Sequence, residues 1–103
     1  MALADLLQQD AIIPALKANS KKQLLQELAE KAAAVTGLPE REIFDVILQR
    51  ERLGSTGVGN GIAIPHGKLN SIKKIAGVFA RLETPVAFEA LDDQPVDLVF
   101  LLL

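Results

Sequence analysis

Several residue types are absent from this chain of 103 residues, or nearly so. It has no cysteine, no tryptophan and no tyrosine, and it has a single histidine. Without cysteine, neither disulfide bonds nor thiolate metal sites can form. The lone histidine, with no carboxylate at ligand spacing around it, also argues against a metal centre. We therefore expect no metal and no cofactor.

An excess of charge of one sign is also missing. The chain has 13 acidic residues against 11 lysines and arginines, which leaves a formal net charge of −2. Such a chain has no electrostatic reason to bind nucleic acid or an anionic membrane. No apolar run approaches the roughly 20 residues of a membrane helix, and the N-terminus does not resemble a signal peptide. We expect a soluble, cytoplasmic protein with no nucleic-acid partner and no membrane insertion.

What the chain does have is apolar residues, which make up 50% of it. This content indicates one packed domain. Helical and strand patterns alternate loosely, which favours an α/β fold with a mixed β-sheet flanked by helices. The chain ends on the apolar run 96–103, typical of a central strand covered on both faces. We interpret residues 1–103 as a single domain truncated before its C-terminal elements, and expect its exposed strand to promote self-association.

The helix signals are clearest in the first half of the chain. Residues 20–35 predict a helix, with Ser20 and Gln23 as a capping box and Gly37 as its stop. A second helix is predicted to begin near Pro39, a residue suited to a first turn, and to end before the glycine-rich segment. Their apolar faces are Leu24, Leu25, Leu28, Ala29, Ala32 and Ala33 in the first helix, and Ile43, Phe44, Ile47 and Leu48 in the second.

The remaining elements have weaker signals. A short helix is predicted over residues 3–9, and an edge strand halted by proline over 12–14. The other predicted elements are strands over 76–82, 86–88 and 96–103, a turn over 83–85 and a polar connection over 89–95.

The most informative segment is residues 54–68, which read GSTGVGNGIAIPHGK. It holds five of the seven glycines and the only histidine, His66. Glycine lets backbone N–H groups crowd around an anion, so a loop of this kind often binds phosphate. The run 62–64 predicts a buried strand stopped by Pro65, which places His66 at a strand end where a partner protein can reach it. A histidine ring offers a nucleophilic nitrogen near neutral pH.

Other glycine-loop motifs do not fit this segment. A P-loop needs Gly-x-x-x-x-Gly-Lys-Ser/Thr, but that spacing before Gly67 leads back to Ile62, and Leu69 follows Lys68. The dinucleotide fingerprint Gly-x-Gly-x-x-Gly fails at its third glycine. The loop also follows a helix and enters a strand, the reverse of the order that this motif requires. Nucleotide binding is therefore not expected.

The run GIAIPHG over residues 61–67, with Arg50-Glu51 and GSTG upstream, closely resembles a known active-site signature. It is that of type 2 enzyme IIA domains of the bacterial phosphoenolpyruvate-dependent phosphotransferase system. The resemblance covers essentially the whole chain. The sequence of the glycine-rich segment is most similar to that of the nitrogen-regulatory members. It implies that His66 carries a phosphoryl group as a phosphohistidine and that Arg50 helps to bind it. It implies no turnover of a small molecule by the domain alone.

Other residues of the segment have less decided roles. Ser55 and Thr56 are either ordinary loop residues or hydroxyl donors to the phosphoryl group. Gly67 is a further candidate for the phosphate loop. Asn60 resembles a position that is acidic in some sugar-transport members, which favours the regulatory branch. Lys68 either steers an acidic partner or is a surface residue without a functional role.

Two classes of function follow from the resemblance. The first is a phosphocarrier that accepts a phosphoryl group on His66 from an upstream histidine phosphocarrier protein. It then either regulates targets such as a sensor kinase or an ion transporter, or passes the group to a fructose- or mannitol-type sugar transporter. The second class is an interaction module that has lost transfer chemistry. The sequence favours the regulatory phosphocarrier, whose unphosphorylated form is expected to bind the targets.

Overall fold

The computed structural model describes residues 11–70 and 76–103, so the helix predicted over 3–9 lies outside the described residues. Two helices and five strands are present in that part of the chain. In chain order they are β1 (Ile12–Leu16), α1 (Lys21–Thr36), α2 (Glu40–Leu53), β2 (Gly57–Gly59), β3 (Ile62–Ala63), β4 (Gly77–Val86) and β5 (Val96–Leu102). The strands form one mixed sheet of order β1-β4-β5-β3-β2. The predicted α/β class with a mixed sheet is confirmed.

Helix α1 begins at a side-chain cap and ends at a glycine, as predicted. Ser20 Oγ accepts a hydrogen bond from the Gln23 backbone N–H at 3.1 Å. The Gln23 side chain accepts from the N–H of Asn19 at 2.8 Å, one residue before the one that a capping box would use. Gly37, with φ of 77°, donates to the Ala33 carbonyl at 2.8 Å. Glycine takes this left-handed conformation without strain.

Helix α2 differs from its prediction at its start and in its buried face, where Phe44 and Leu48 are only half-buried. Pro39 lies just before the first turn, in an extended conformation, rather than inside it. Arg50 lies in the last turn, as predicted. The buried residues are Ile43, Ile47 and Glu51, which lie four apart and therefore share one face of the helix. A carboxylate thus continues the apolar stripe.

No helix in the described ranges is long and apolar enough to cross a membrane.

The core lies between the helices and one face of the sheet. On that face, Val78 and Ala80 of β4 pair with Leu101 and Val99 of β5, and all four are buried. They belong to one apolar cluster with the buried helix residues Leu24, Leu25, Leu28, Ala29, Ala32, Ile43 and Ile47.

The opposite face of the sheet is open among the described residues. Phe79 of β4 pairs with Phe100 of β5, their ring centroids lie 6.4 Å apart, and both are partly exposed. A shallow apolar groove of about 270 Å³ is lined by these rings together with Ile62, Ile64, Leu98, Val99 and Leu102. The prediction of a strand covered on both faces is therefore wrong for β5 in this part of the chain. Its central position in the sheet is confirmed.

Prolines do not end the strands where the sequence predicts. β1 continues through Pro14 to Leu16, because it is the edge strand and needs no backbone N–H on its outer side. β4 absorbs the turn predicted over 83–85, and its register with β5 shifts between Arg81 and Val86. Such an irregularity accommodates a proline inside a ladder. The predicted strand 86–88 is therefore the end of β4 followed by a loop.

Candidate functional site

Part of the glycine-rich segment folds as a small β-hairpin. β2 pairs antiparallel with β3, and the connecting residues Asn60 and Gly61 have φ values of 56° and 77°. Two successive positive φ values are those of a type I′ turn, for which Asn-Gly is a preferred sequence. The hairpin was not predicted because glycine is depleted in strands, although the Asn-Gly pair signals it.

The strand predicted over 62–64 is shorter and less buried than expected. β3 consists of Ile62 and Ala63 and pairs in parallel with β5. Ala63 is fully buried, but Ile62 is 37% exposed because its side chain faces the open side of the sheet. The parallel pairing nevertheless leads the chain towards His66 alongside β5, and His66 itself forms a bridge to Leu102.

The Asp92 carboxylate holds the hairpin turn, and Asp97 lies close to it. The Asn60 backbone N–H donates to Asp92 Oδ2 at 2.9 Å, and the Gln94 N–H donates to Oδ1 at 3.1 Å. These hydrogen bonds, chiefly that from Asn60, lower the pKa of Asp92 below its ordinary value of 3.8. A Cβ on Gly61 would lie 2.8 Å from Asp97 Oδ1.

No group of three or more residues able to bind a metal forms in the part of the chain that the structure describes.

His66 is exposed at the end of this segment, and its ring has two hydrogen-bond partners. Nδ1 lies 2.9 Å from the Ile64 carbonyl oxygen, and Arg50 Nε donates to Nε2 at 3.2 Å. A carbonyl only accepts and an arginine N–H only donates, so Nδ1 carries the proton and Nε2 presents the lone pair. The structure therefore brings together the two residues that the resemblance pairs.

Arg50 is held by a second contact. Its Nη1 donates to the Gly54 carbonyl at 2.8 Å, across the end of α2. The guanidinium thus spans the helix end, the start of the glycine-rich segment and the histidine ring. Because an arginine has five N–H donors in a planar fork, the two contacts leave donors for an anion.

The two hydroxyl candidates both bind the protein. Ser55 Oγ donates to the Phe88 carbonyl at 2.7 Å and accepts from the Gly57 N–H at 3.1 Å. Thr56 is buried, and its hydroxyl donates to the Glu51 carboxylate. In this structure both hydroxyls shape the loop. A contact of either with a phosphoryl group stays a prediction.

Gly67 and Lys68 follow the histidine. The Gly67 N–H donates to the Leu102 carbonyl at 3.1 Å. A Cβ at Gly67 would lie 2.4 Å from Val46 Cγ1, so only glycine permits this close approach to α2.

Lys68 is exposed. The other phosphate-loop candidate, Asn60, is also exposed and uses its backbone N–H to bind Asp92.

Glu51 lies beneath this site and was not predicted as a functional residue. Its side chain is 3% exposed and lies 3.0 Å from Lys21 Nζ. A signal for it exists in the sequence, because Ile43, Ile47 and Glu51 continue one helical stripe at four-residue spacing. A carboxylate on a buried stripe indicates a polar network in the core.

Residues 5–103 match the family model described as "Phosphoenolpyruvate-dependent sugar phosphotransferase system, EIIA 2". The chain is 64% identical over 103 residues to a nitrogen regulatory protein of Bradyrhizobium diazoefficiens, covering 100% of this chain and 67% of that protein. It is 35% identical over 103 residues to the fructose-specific EIIABC component of Bacillus subtilis, covering 99% of this chain and 16% of that protein.

The structural comparison gives the same result as the sequence comparison. The nitrogen regulatory protein IIA-Ntr from Neisseria meningitidis superposes with a TM-score of 0.92 at 37% identity, over 97% of this chain and 68% of that one. The enzyme IIA of an Escherichia coli mannitol complex with phosphorylated enzyme IIB superposes with a TM-score of 0.79 at 27% identity, over 93% and 68%. This chain spans about two thirds of the length of its nitrogen regulatory relatives. It belongs to the EIIA type 2 family of the phosphoenolpyruvate-dependent sugar phosphotransferase system, and resembles the nitrogen regulatory members of that family.

Proposed function

We propose that this protein is a regulatory phosphocarrier that accepts a phosphoryl group on Nε2 of His66. The observation that carries the proposal is the pair of contacts on the ring. The Ile64 carbonyl holds the proton on Nδ1, and Arg50 lies at the nitrogen with the lone pair. A nucleophile is most effective when its reactive atom is already unprotonated and oriented. The exposed position of His66 lets a second protein deliver the group.

The transfer requires no proton to leave the site. The Nε2 lone pair forms a bond to phosphorus while the N–P bond of a phosphohistidine on an upstream carrier protein breaks. The bonding electrons return to the carrier's ring. His66 keeps its Nδ1 proton, so the phosphorylated ring is an imidazolium whose charge the Ile64 carbonyl stabilises. Arg50 turns from Nε2 to the phosphoryl oxygens, which a guanidinium can bind in pairs.

The charge of the phosphoryl group is the proposed signal. A phosphoryl group carries roughly −1.5 to −2 charges near neutral pH. It would lie beside Arg50 and close in sequence to Lys68, and would invert the local potential without a change of fold. Only a difference in affinity between the two states can transmit such a signal. We propose that the unmodified face binds the regulatory targets, a sensor kinase or an ion transporter, and that phosphorylation repels them.

Similarity supports the regulatory branch over sugar transport. Identity to the nitrogen regulatory protein of Bradyrhizobium diazoefficiens is 64%, against 35% to the fructose component of Bacillus subtilis. The second candidate is transfer of the phosphoryl group to a sugar-specific enzyme IIB. The solved mannitol complex, in which a IIA of the same fold binds phosphorylated IIB, favours it. Sugar transport would also require an upstream phosphocarrier protein and the same histidine. For either role we propose that the protein lies in the cytoplasm.

Intact mass spectrometry tests the acceptor. The protein is incubated with phosphoenolpyruvate, the first enzyme of the relay and its histidine phosphocarrier protein. We expect one phosphoryl group on the wild type and none on His66→Ala. A reaction without the phosphocarrier protein is the control, and it should leave the wild type unmodified. Phosphorylation of His66→Ala would refute the assignment.

Binding measurements separate the two branches. The affinity of a sensor kinase or ion transporter is measured for the wild type, for His66→Ala and for the charge mimic His66→Asp. We expect the first two to bind alike and His66→Asp to bind more weakly. Equal affinities for all three would favour the sugar-transport role instead.

A further inference from the structure

Two polar residues are buried in the part of the chain that the structure describes, Glu51 and Thr56, and they bind each other. The Thr56 backbone N–H donates to Glu51 Oε1 at 3.1 Å, and the Thr56 hydroxyl donates to Oε2. Lys21 Nζ lies 3.0 Å from Oε1. A buried carboxylate is costly unless it is paired and hydrogen-bonded, and a satisfied network of this kind fixes one local geometry.

Lys21 connects this network to the other side of the loop. Its Nζ donates to the Phe88 carbonyl at 3.4 Å and lies 4.4 Å from the centroid of the Phe88 ring. The same carbonyl accepts the Ser55 hydroxyl at 2.7 Å. Residues 55 and 56 are thus fixed from two sides, by Phe88 and by Glu51.

From Thr56 the network continues to the proposed nucleophile. The Thr56 carbonyl accepts the Ile64 N–H at 3.0 Å, and the Ile64 carbonyl accepts the Nδ1 proton of His66 at 2.9 Å. Two residues before Thr56, the Gly54 carbonyl accepts from Arg50 at 2.8 Å. The two carbonyls that orient Arg50 and His66 therefore both depend on where Thr56 is held.

We infer that Glu51 is a positioning residue for phosphoryl transfer. Its carboxylate clamps Thr56, so that the Gly54 and Ile64 carbonyls hold Arg50 and the Nδ1–H tautomer of His66 in place. Lys21 neutralises the carboxylate, so that its charge does not oppose an incoming phosphoryl group. This inference rests on the proposed acceptor role of His66, and Glu51 acts through Thr56 rather than on the phosphoryl group.

The first test is Glu51→Gln, which keeps the shape of the side chain. An amide has one acceptor oxygen where the carboxylate has two, so it cannot accept both bonds from Thr56 and also pair with Lys21. Ring ¹⁵N NMR should show the Nδ1–H tautomer of His66 in the wild type and a mixture in the variant. Phosphoryl transfer from the carrier protein should slow about tenfold to 100-fold, as expected when reacting groups are displaced. Glu30→Gln, the same change at an exposed position of α1, should alter neither readout.

A second pair of variants keeps the test decisive if Glu51→Gln does not fold. Thr56→Ser retains the hydroxyl and should match the wild type in tautomer and in transfer rate. Thr56→Val retains the shape and loses the hydroxyl, so it should behave like Glu51→Gln.

An unchanged tautomer and transfer rate in folded Glu51→Gln, or in Thr56→Val, would overturn the inference. A wild type that accepts no phosphoryl group would instead refute the proposed function. The NMR comparison would still decide whether Glu51 controls the ring of His66.

Discussion

At the scale of single residues, the site depends on which atoms donate and which accept. The Ile64 carbonyl and the Arg50 N–H together leave one ring nitrogen of His66 unprotonated. A neutral histidine far from such partners would sample both tautomers, and part of the population would present the wrong nitrogen. In the proposed function, the acceptor nitrogen is therefore already unprotonated before any partner binds.

Arg50→Ala should impair transfer more than stability. Arg50 lies partly exposed in the last turn of α2, so its loss should cost less than about 1 kcal/mol of unfolding free energy. Loss of a charge-assisted contact with phosphate costs about 1.5–3 kcal/mol, which corresponds to about a 10- to 150-fold slower transfer. Rapid-quench kinetics and urea unfolding measure the two effects.

Arg52→Ala is the matched control for this variant, because Arg52 lies in the same helical turn. It should change neither quantity appreciably. Wild-type transfer kinetics in Arg50→Ala, combined with a large loss of stability, would show that Arg50 is structural.

Asp92→Asn should remove a pH-dependent part of the stability. Hydrogen bonds from the Asn60 and Gln94 N–H groups lower the pKa of Asp92, so its ionised form is favoured in the folded state. The contribution is present above the ordinary value of 3.8 and is lost as the pH falls through the lower, folded value. Urea unfolding should show the wild type more stable than the variant at pH 7, with a gap that narrows in acid. Asp93→Asn is the control, and a gap independent of pH would contradict the assignment.

At the scale of elements, the site is a junction between a helix end and a strand end. α2 supplies Arg50, and the segment after β3 supplies His66. The two can meet because Gly67 lets the chain pass directly against Val46 of α2. The packing of one loop on one helix therefore sets the distance between the two functional groups.

Gly67→Ala should push the loop away from α2 and destabilise the protein. The added methyl would lie 2.4 Å from Val46 Cγ1, and overpacking of this kind typically costs about 1–3 kcal/mol. The double variant Gly67→Ala/Val46→Ala should recover much of that loss, because Val46→Ala makes room for the methyl. Urea unfolding of the four proteins in a double-mutant cycle measures this coupling. Additive effects would mean that the contact is not the cause.

At the scale of the whole molecule, the sheet has two different faces. One packs on α1 and α2, while the other presents Phe79, Phe100 and their neighbours in an apolar groove. Exposed apolar surfaces tend to associate with other apolar surfaces. We expect two copies of the 103-residue chain to associate through it.

Leu98→Glu should weaken this association. Leu98 lines the groove, and a charge there would have to be buried on contact with a second copy. Leu53→Glu makes the same change at an exposed position outside the groove and serves as the control. Light scattering over a range of concentrations should show association for the wild type and for Leu53→Glu, and less for Leu98→Glu. A wild type that stays monomeric at every concentration would contradict this expectation.

The sequence by itself determined the elements and residues whose signals are local. The cap at Ser20, the stop at Gly37 and the end of α2 each depend on residues a few positions apart, so their patterns survive without the rest of the fold. The family signature around His66 is likewise contiguous, and the family match confirms its identification.

Only the tertiary structure decided what depends on distant partners. Pro14 remains in a strand because β1 is the edge of the sheet, and Pro85 because the register between β4 and β5 shifts beside it. No local pattern encodes either feature. The contact of Arg50 with Nε2 of His66, the pairing of buried Glu51 with Lys21 and the contact of Gly67 with α2 likewise require separate segments of the chain to meet. Local propensity acts over one or two turns, whereas these contacts form only when the chain is packed.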